Sequence, residues 1–230
     1  MPVRNIPRSR RSLTGRVASR TSGTSQMFES SLERDLFIVL DFDVGVASFE
    51  EQPIRISFTD NQGGRHTYVP DVLIHYHPDP VTGHQNPPLL AEVKYRQDLF
   101  KNWKELKPRF KAARAYSRER GWQPFRIFTE NEIRTPYLEN AKFLRGYART
   151  ELVPTEVNVL LNTLAALGTA TPQSLLEACS TDQMRRAELM PVMWRLITLN
   201  HIGCNLDERL TMGSAIWTAA PRAVIRGIGE

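Results

Sequence analysis

Three residues carry the chemistry this sequence could do: Asp71, and the pair Glu92 and Lys94 one loop later. Each half sits in a short apolar run. Residues 68–76 read YVPDVLIHY and residues 89–95 read LLAEVKY, both of strand length and both preceded by turn formers, Gly63-Gly64 and Pro87-Pro88. Alternate residues of a strand share a face, so Glu92 and Lys94 point one way and Val93 the other. An acid on one strand, and an acid with a lysine on its neighbour, can converge on one spot. There Asp71 and Glu92 would hold Mg²⁺, a hard ion that takes a few carboxylates and keeps waters for a substrate phosphate. The ion would lower the pKa of a bound water and neutralise charge on the phosphate. Lys94 would hold the attacking water and offset charge developing in the transition state, and the carboxylates beside it favour its protonated form. This is the chemistry of metal-dependent phosphodiester hydrolysis, with Mn²⁺ able to substitute for Mg²⁺. A bare P-D…E-x-K match also recurs by chance, as a surface Asp and a Glu/Lys pair. The apolar flanks, VLI after Asp71 and LLA before Glu92, set this one apart.

The elements that must position these residues follow from periodicity. The intervening HPDPVTGHQNPP is a turn-rich loop that lets the two strands pair as an antiparallel hairpin. Upstream, residues 27–41 form a helix by pattern, with Phe28, Leu32, Leu36, Val39 and Leu40 on one stripe and Ser25 as N-cap. Glu29 and Glu33 lie four apart beside that stripe, so either could reach the site, or both could be solvated. Residues 53–58 alternate as a strand and 60–64 form a turn. Gln52-Pro53 suits a strand's beginning, close to the site. After the Lys94 strand, residues 97–120 are amphipathic, with Leu99, Phe100, Trp103, Leu106, Phe110 and Tyr116 on the apolar side. Pro108 should kink or split this helix, and Gly121 should end it. A strand over 124–128 and a helix over 130–147 complete an α/β pattern: a mixed sheet sandwiched by helices.

Charge is uneven along the 230 residues. Arg4, Arg8, Arg10, Arg11, Arg16 and Arg20 fall in the first 25 residues with no acid, while the whole chain is only +5. The remainder is therefore nearly neutral. Residues 1–25 read as a Ser/Arg/Gly-rich arm, disordered alone and able to bind phosphate by counterion release. They lack the apolar stretch of a secretory signal. A second basic cluster, Arg96, Lys101, Lys104, Lys107, Arg109 and Lys111, follows the Lys94 strand, and Arg96, Lys101, Lys104 and Lys107 are the candidates for DNA-backbone contact. Cys179 and Cys204 are too few for a disulfide framework, read as core residues and point to a reducing compartment. His75, His77 and His84 lack a Cys pair and read as loop or surface residues rather than zinc ligands. No apolar stretch approaches membrane-spanning length.

Two domains fit this length better than one: 26–150, and a second unit over 151–230. The second reads as a helix over 155–167 with Thr155 near its cap, a short helix from Pro172 through Ala178, and one or two helices over 182–200. Residues 201–206 and 214–217 could then form a small hairpin. Three helices and a hairpin make a winged-helix-like pattern, for DNA or for a protein partner.

Taken in order, SSLERDLFIVLDFD (30–43), SFEEQPIRI (48–56), YVPDVLI (68–74), LLAEVKY (89–95) and PFRIFTENEI (124–133) resemble the TnsA endonuclease family. Its members are the restriction-endonuclease-like subunits of bacterial transposons with heteromeric transposases, including CRISPR-associated ones. The resemblance covers about residues 25–150, and it is the run of blocks that makes it specific. It implies a PD-(D/E)xK core of order α-β-β-β-α-β. The family's helical acid falls on Glu33, its strand aspartate on Asp71 and its lysine motif on Glu92-Val93-Lys94, so that Glu33, Asp71 and Glu92 would be the metal ligands. The family varies between Glu and Gln at the position of Glu92; here it is the acid. Glu29 has no counterpart. The implied activity is cutting the 5′ ends of a transposon in double-stranded DNA, beside a DDE-type transposase and an AAA+ ATPase regulator, in a bacterial cytoplasm. Two rivals stand beside it: a stand-alone restriction or nicking endonuclease of the same fold, and a non-enzymatic adaptor that keeps the fold to bind DNA.

Overall fold

In the computed structural model, the described residues are 15–18, 25–28, 30–60, 62–79 and 81–219. Arg4, Arg8, Arg10, Arg11 and Arg20 of the basic arm, and Glu29, lie outside them. β1 (Gly15–Ala18), inside the arm, pairs antiparallel with β2 (Ser25–Phe28), which begins at the arm's last residue.

The strand at 25–28 corrects the expected helix start. α1 spans Ser31–Phe42, and its N-cap is Ser30, not Ser25. The Ser30 hydroxyl accepts from the Glu33 backbone N–H at 3.1 Å and donates to the Glu33 carboxylate at 2.9 Å. That local pairing satisfies a helix-end donor that Ser25 is too far away to reach. β3 (Val46–Glu51), β4 (Ile56–Thr59), β5 (Arg65–Tyr68), β6 (Val72–Tyr76) and β7 (Leu89–Val93) follow. The apolar run 68–76 is thus two strands rather than one. It breaks at Pro70-Asp71, where proline has no N–H to donate to a ladder. β4 and β5 form their own antiparallel hairpin, and the Asp60 carboxylate closes its turn by accepting from the N–H groups of Gln62 and Gly64.

α2 (Arg96–Glu119) runs through Pro108 without splitting. Burial of Leu106, Phe110 and Ala113 on either side of the proline outweighs the one lost helical bond. Gly121, at φ 66°, ends it. β8 (Arg126–Phe128) and α3 (Glu130–Ile133) close this part of the chain. The central sheet has the order β3-β6-β7-β8. β6 is antiparallel to both β3 and β7, and β8 is parallel to β7. Alternation divides its side chains between two cores. Val72, Ile74, Leu89, Ala91 and Val93 pack with Leu32, Leu36 and Phe37 of α1. Leu73 and Leu90 pack with Tyr68 and with Leu106 and Phe110 of α2.

The chain divides into two compact units between Arg134 and Thr135, not near residue 150. The expected helix over 130–147 is broken by Thr135-Pro136 into α3 and α4 (Pro136–Arg145). α4 belongs to the second unit: Phe143 and Tyr147 set their rings against Trp194. The second unit continues with α5 (Pro154–Leu167), β9 (Thr169–Ala170), α6 (Pro172–Cys179), α7 (Gln183–Thr198), β10 (Ile202–Cys204) and β11 (Ile216–Thr218). α5 is capped by Val153, with Pro154 opening it, rather than by Thr155. The hairpin β10–β11 forms as expected and gains β9 as a third strand. A Cβ at Gly203 would meet the Trp217 ring across the strand pair, so any larger residue there must push that ring aside. Cys179 and Cys204 are free and half-buried rather than core residues, and burial pushes the Cys204 thiol up to about 11. No helix among the described residues is long and apolar enough to cross a membrane.

Candidate active site

Asp71 immediately precedes β6, and Lys94 immediately follows β7, the strand antiparallel to it. Glu92 has the parity of Leu90, so it points to the α2 side of the sheet, where Tyr68 stands. The Tyr68 hydroxyl donates to Glu92 Oε2 at 2.6 Å, and the Lys94 ammonium lies 3.5 Å from Glu92 Oε1. Asp71 Oδ2 accepts the Val93 N–H at 2.7 Å, while its backbone carbonyl accepts the Gln52 N–H at 2.9 Å. Gln52 holds a left-handed φ of 43°. The turn after β3 is thus bent so that the Gln52 N–H holds the backbone of Asp71.

These groups lie within electrostatic reach of one another. Desolvation, then the Glu92 and Glu33 carboxylates, raise Asp71 well above the usual carboxylate range. Desolvation raises Glu92 too, with Glu33 adding to the rise, although Lys94 and Tyr68 pull it back. Desolvation disfavours the charged form of Lys94, but Glu92 and Asp71 outweigh it, and the ammonium is held above its ordinary value. Burial and the Glu92 charge raise Tyr68, so it stays a donor. Glu33, from α1, contributes to the fields of all three neighbours and is anchored by Ser30.

Among the described residues, no three His, Cys, Asp or Glu side chains stand together as a ready-made metal cage. The site offers two crowded, desolvated carboxylates with a third within electrostatic reach. That donor set fits a hard divalent ion that keeps most of its waters, and a cation there would relieve the repulsion that raises Asp71. Of the histidines set aside above, His75 is accounted for by its bond to Glu50.

Arg96, Lys101, Lys104 and Lys107 are all exposed on α2. Beside them a cavity of about 480 Å³ is lined by Arg96, Phe100 and Trp103 of α2 and by Asn131 and Glu132 of α3. The residue missed in the sequence is Tyr68. A tyrosine whose ring is buried needs a partner for its hydroxyl, and it stands three residues before Asp71.

A mixed sheet sandwiched by helices, with an acid-rich site at its strand ends, defines a nuclease-like α/β protein. Residues 43–130 match the family model described as TnsA-like endonuclease N terminal, and residues 132–206 match the one described as TnsA endonuclease C terminal. The chain belongs to the TnsA endonuclease family. No curated protein matches it. Asp71, Glu92 and Lys94 lie inside the first matched stretch. Glu33 lies ahead of it, so its part in the site rests on the electrostatic reach described above.

Proposed function

We propose that the chain is the DNA-cutting subunit of a cut-and-paste transposase, a Mg²⁺-dependent endonuclease that hydrolyses phosphodiesters at the 5′ ends of a transposon. A DDE-type transposase would cut the 3′ ends, and an AAA+ ATPase would regulate the assembly. The observation that carries this reading is the desolvated pair Asp71 and Glu92 at the end of the hairpin β6–β7, with the Lys94 ammonium 3.5 Å from Glu92 and Glu33 within electrostatic reach. That arrangement fits a PD-(D/E)xK nuclease core.

Asp71 and Glu92, with Glu33, would hold the ion, which supplies an activated water and a Lewis acid for the phosphate. Both raised carboxylates must shed protons to face a cation, so loading is favoured as pH rises. Tyr68 fixes one Glu92 oxygen and leaves the other toward Lys94. Lys94, kept charged, holds the attacking water and offsets the charge that builds on the phosphate. Arg96, Lys101, Lys104 and Lys107 position the DNA backbone. The products are 5′-phosphate and 3′-hydroxyl ends. The second unit, with its order α5-β9-α6-α7-β10-β11, is a winged-helix-like domain that docks DNA or a partner. The setting is the bacterial cytoplasm.

The test is cleavage of supercoiled and transposon-end DNA in Mg²⁺ or Mn²⁺, wild type against Lys94→Ala, with and without the candidate transposase. Partner-dependent 5′-strand cuts that vanish in the variant support the reading. Cutting without a partner makes the protein a stand-alone nuclease, and DNA binding with no cutting under any condition makes it an adaptor.

A further inference from the structure

Arg134, the last residue of the first unit, is far from Asp71 and Glu92 in sequence, yet it ties together the two elements that bring Glu33 and Lys94 to one place. Its Nε donates to Asp35 Oδ2 at 3.0 Å. Its Nη2 donates to Ser31 Oγ at 3.2 Å and to the Tyr95 hydroxyl at 3.0 Å. Ser31 Oγ and Tyr95 OH are themselves 3.0 Å apart, and the guanidinium carbon lies 5.5 Å from the centre of the Tyr95 ring. Asp35 is 2 % exposed and is held from its other side by Arg34 at 3.0 Å.

Ser31 and Asp35 are one helical turn apart and therefore share a face of α1. Glu33, between them, projects from a different face. Tyr95 is the residue after Lys94. A single planar guanidinium therefore grips the rotation of α1 on one side and the end of the Lys94 strand on the other. A helix with its side chains has a radius of about 5–6 Å, so a turn of about 20° would carry the Glu33 carboxylate about 2 Å from its place.

We propose that Arg134 is a positioning residue for the candidate active site, which sets the rotation of α1 and so the approach of Glu33 to the metal-binding carboxylates. This rests on the endonuclease reading given above. Arg134 touches neither metal nor substrate; it acts through Ser31, Asp35 and Tyr95. Because Arg34 pairs with Asp35, loss of the Arg134 side chain should leave the buried acid a partner, and the variant is expected to fold, which a thermal melt checks.

The experiment compares wild type, Arg134→Ala, Arg134→Lys, Glu33→Gln and the Arg134→Ala/Glu33→Gln double variant. It reads Mn²⁺ affinity of the metal-free proteins by calorimetry, and cleavage in parallel. Arg134→Ala should weaken Mn²⁺ binding and cleavage by about 10–100-fold, the range for partners that orient metal ligands. Arg134→Lys should not restore them, because an ammonium cannot replace the planar fork. Guanidinium added on the order of 10 mM, far below its denaturing range, should restore part of the Arg134→Ala loss. The double variant should bind Mn²⁺ no more weakly than Glu33→Gln alone. Wild-type Mn²⁺ affinity in Arg134→Ala, or additive losses in the double variant, would overturn the proposal while leaving the endonuclease reading intact. A wild-type protein that neither binds Mn²⁺ nor cleaves would remove both.

Discussion

The first unit buries acids beside one another, and the second buries almost none. At the start of β6 and the end of β7, Asp71 and Glu92 are both desolvated, Glu92 raises the proton affinity of Asp71, and Glu33 adds to both. In the second unit the core is Leu160, Leu164, Leu175, Leu189, Met193 and Ile216. Its buried polar side chains end on the backbone. Asn140 donates to the carbonyls of Leu206 and Glu208 at 2.8 and 2.7 Å and accepts the Leu210 N–H at 3.0 Å. Thr198 donates to the Trp194 carbonyl at 2.9 Å. Repulsion among buried charges destabilises a fold unless something bound relieves it. The first unit therefore carries repulsion that a retained proton or a bound cation relieves, whereas the described buried polar side chains of the second end on backbone partners. On the function proposed above, chemistry falls to the former and docking to the latter.

The largest expected effect tests that asymmetry directly. Asp71→Asn should abolish cleavage, by about 10³-fold or more given the usual worth of a charge-stabilising group. The same change should raise the melting temperature of the metal-free protein, because it deletes one of two repelling carboxylates. Lys94→Ala should lose cleavage as severely but gain no stability, since it leaves Glu92 and Asp71 without their cation. Parallel cleavage assays and thermal melts separate the two. A destabilised Asp71→Asn protein would mean that the cluster is structural.

Next in size is the opposite lesion. Leu164→Ala empties a site that is 0 % exposed and should cost about 2–5 kcal/mol, read by denaturant unfolding. The isolated Mn²⁺ affinity should not move. Smaller again is Tyr68→Phe, which removes the 2.6 Å bond to Glu92 at about 1.5–3 kcal/mol, the worth of a hydrogen bond to a charged group. With one donor lost, Glu92 is raised further, so the acid limb of the cleavage profile should shift to higher pH. An unshifted limb would show that Tyr68 only packs.

What could be read in the sequence was whatever rests on short-range pattern. LLAEVKY is a strand because its apolar run is short and flanked by Pro87-Pro88, and Glu92 and Lys94 share a face because period two leaves no choice. Gly121, Thr171-Pro172 and Asp182 mark helix ends through local hydrogen bonding, and the structure has them there. The start of α1 was also within reach, because Ser30 and Glu33 have the spacing of a capping pair. The stripe beginning at Phe28 drew the helix too far forward. Other features depend on partners that no local pattern names. Tyr68 reaches Glu92 only because the chain breaks at Pro70 and sends β5 to pair with β4. The unit boundary at Arg134 follows from Phe143 and Tyr147 packing on Trp194, and the Arg134–Asp35 pair joins residues 99 apart.

The smallest effect is the one most specific to the comparison. A carboxylate raised on folding keeps its proton to higher pH in the native state than in the unfolded chain. Over the window from the ordinary range, about 4, up to the raised native value, the unfolded state binds fewer protons, so stability falls as pH rises. For each proton held by Asp71 or Glu92 the slope is at most about 1.4 kcal/mol per pH unit. The metal-free protein should therefore lose stability as pH climbs above 4, and saturating Mn²⁺ should flatten or reverse that dependence, because a cation binds the deprotonated pair. Asp71→Asn should remove most of the slope even without metal, leaving Glu92 to its attraction to Lys94. Denaturant titrations at closely spaced pH values, with and without Mn²⁺, measure this. A wild-type slope that Mn²⁺ leaves unchanged would place the repulsion outside any metal site and undo the contrast between the two units.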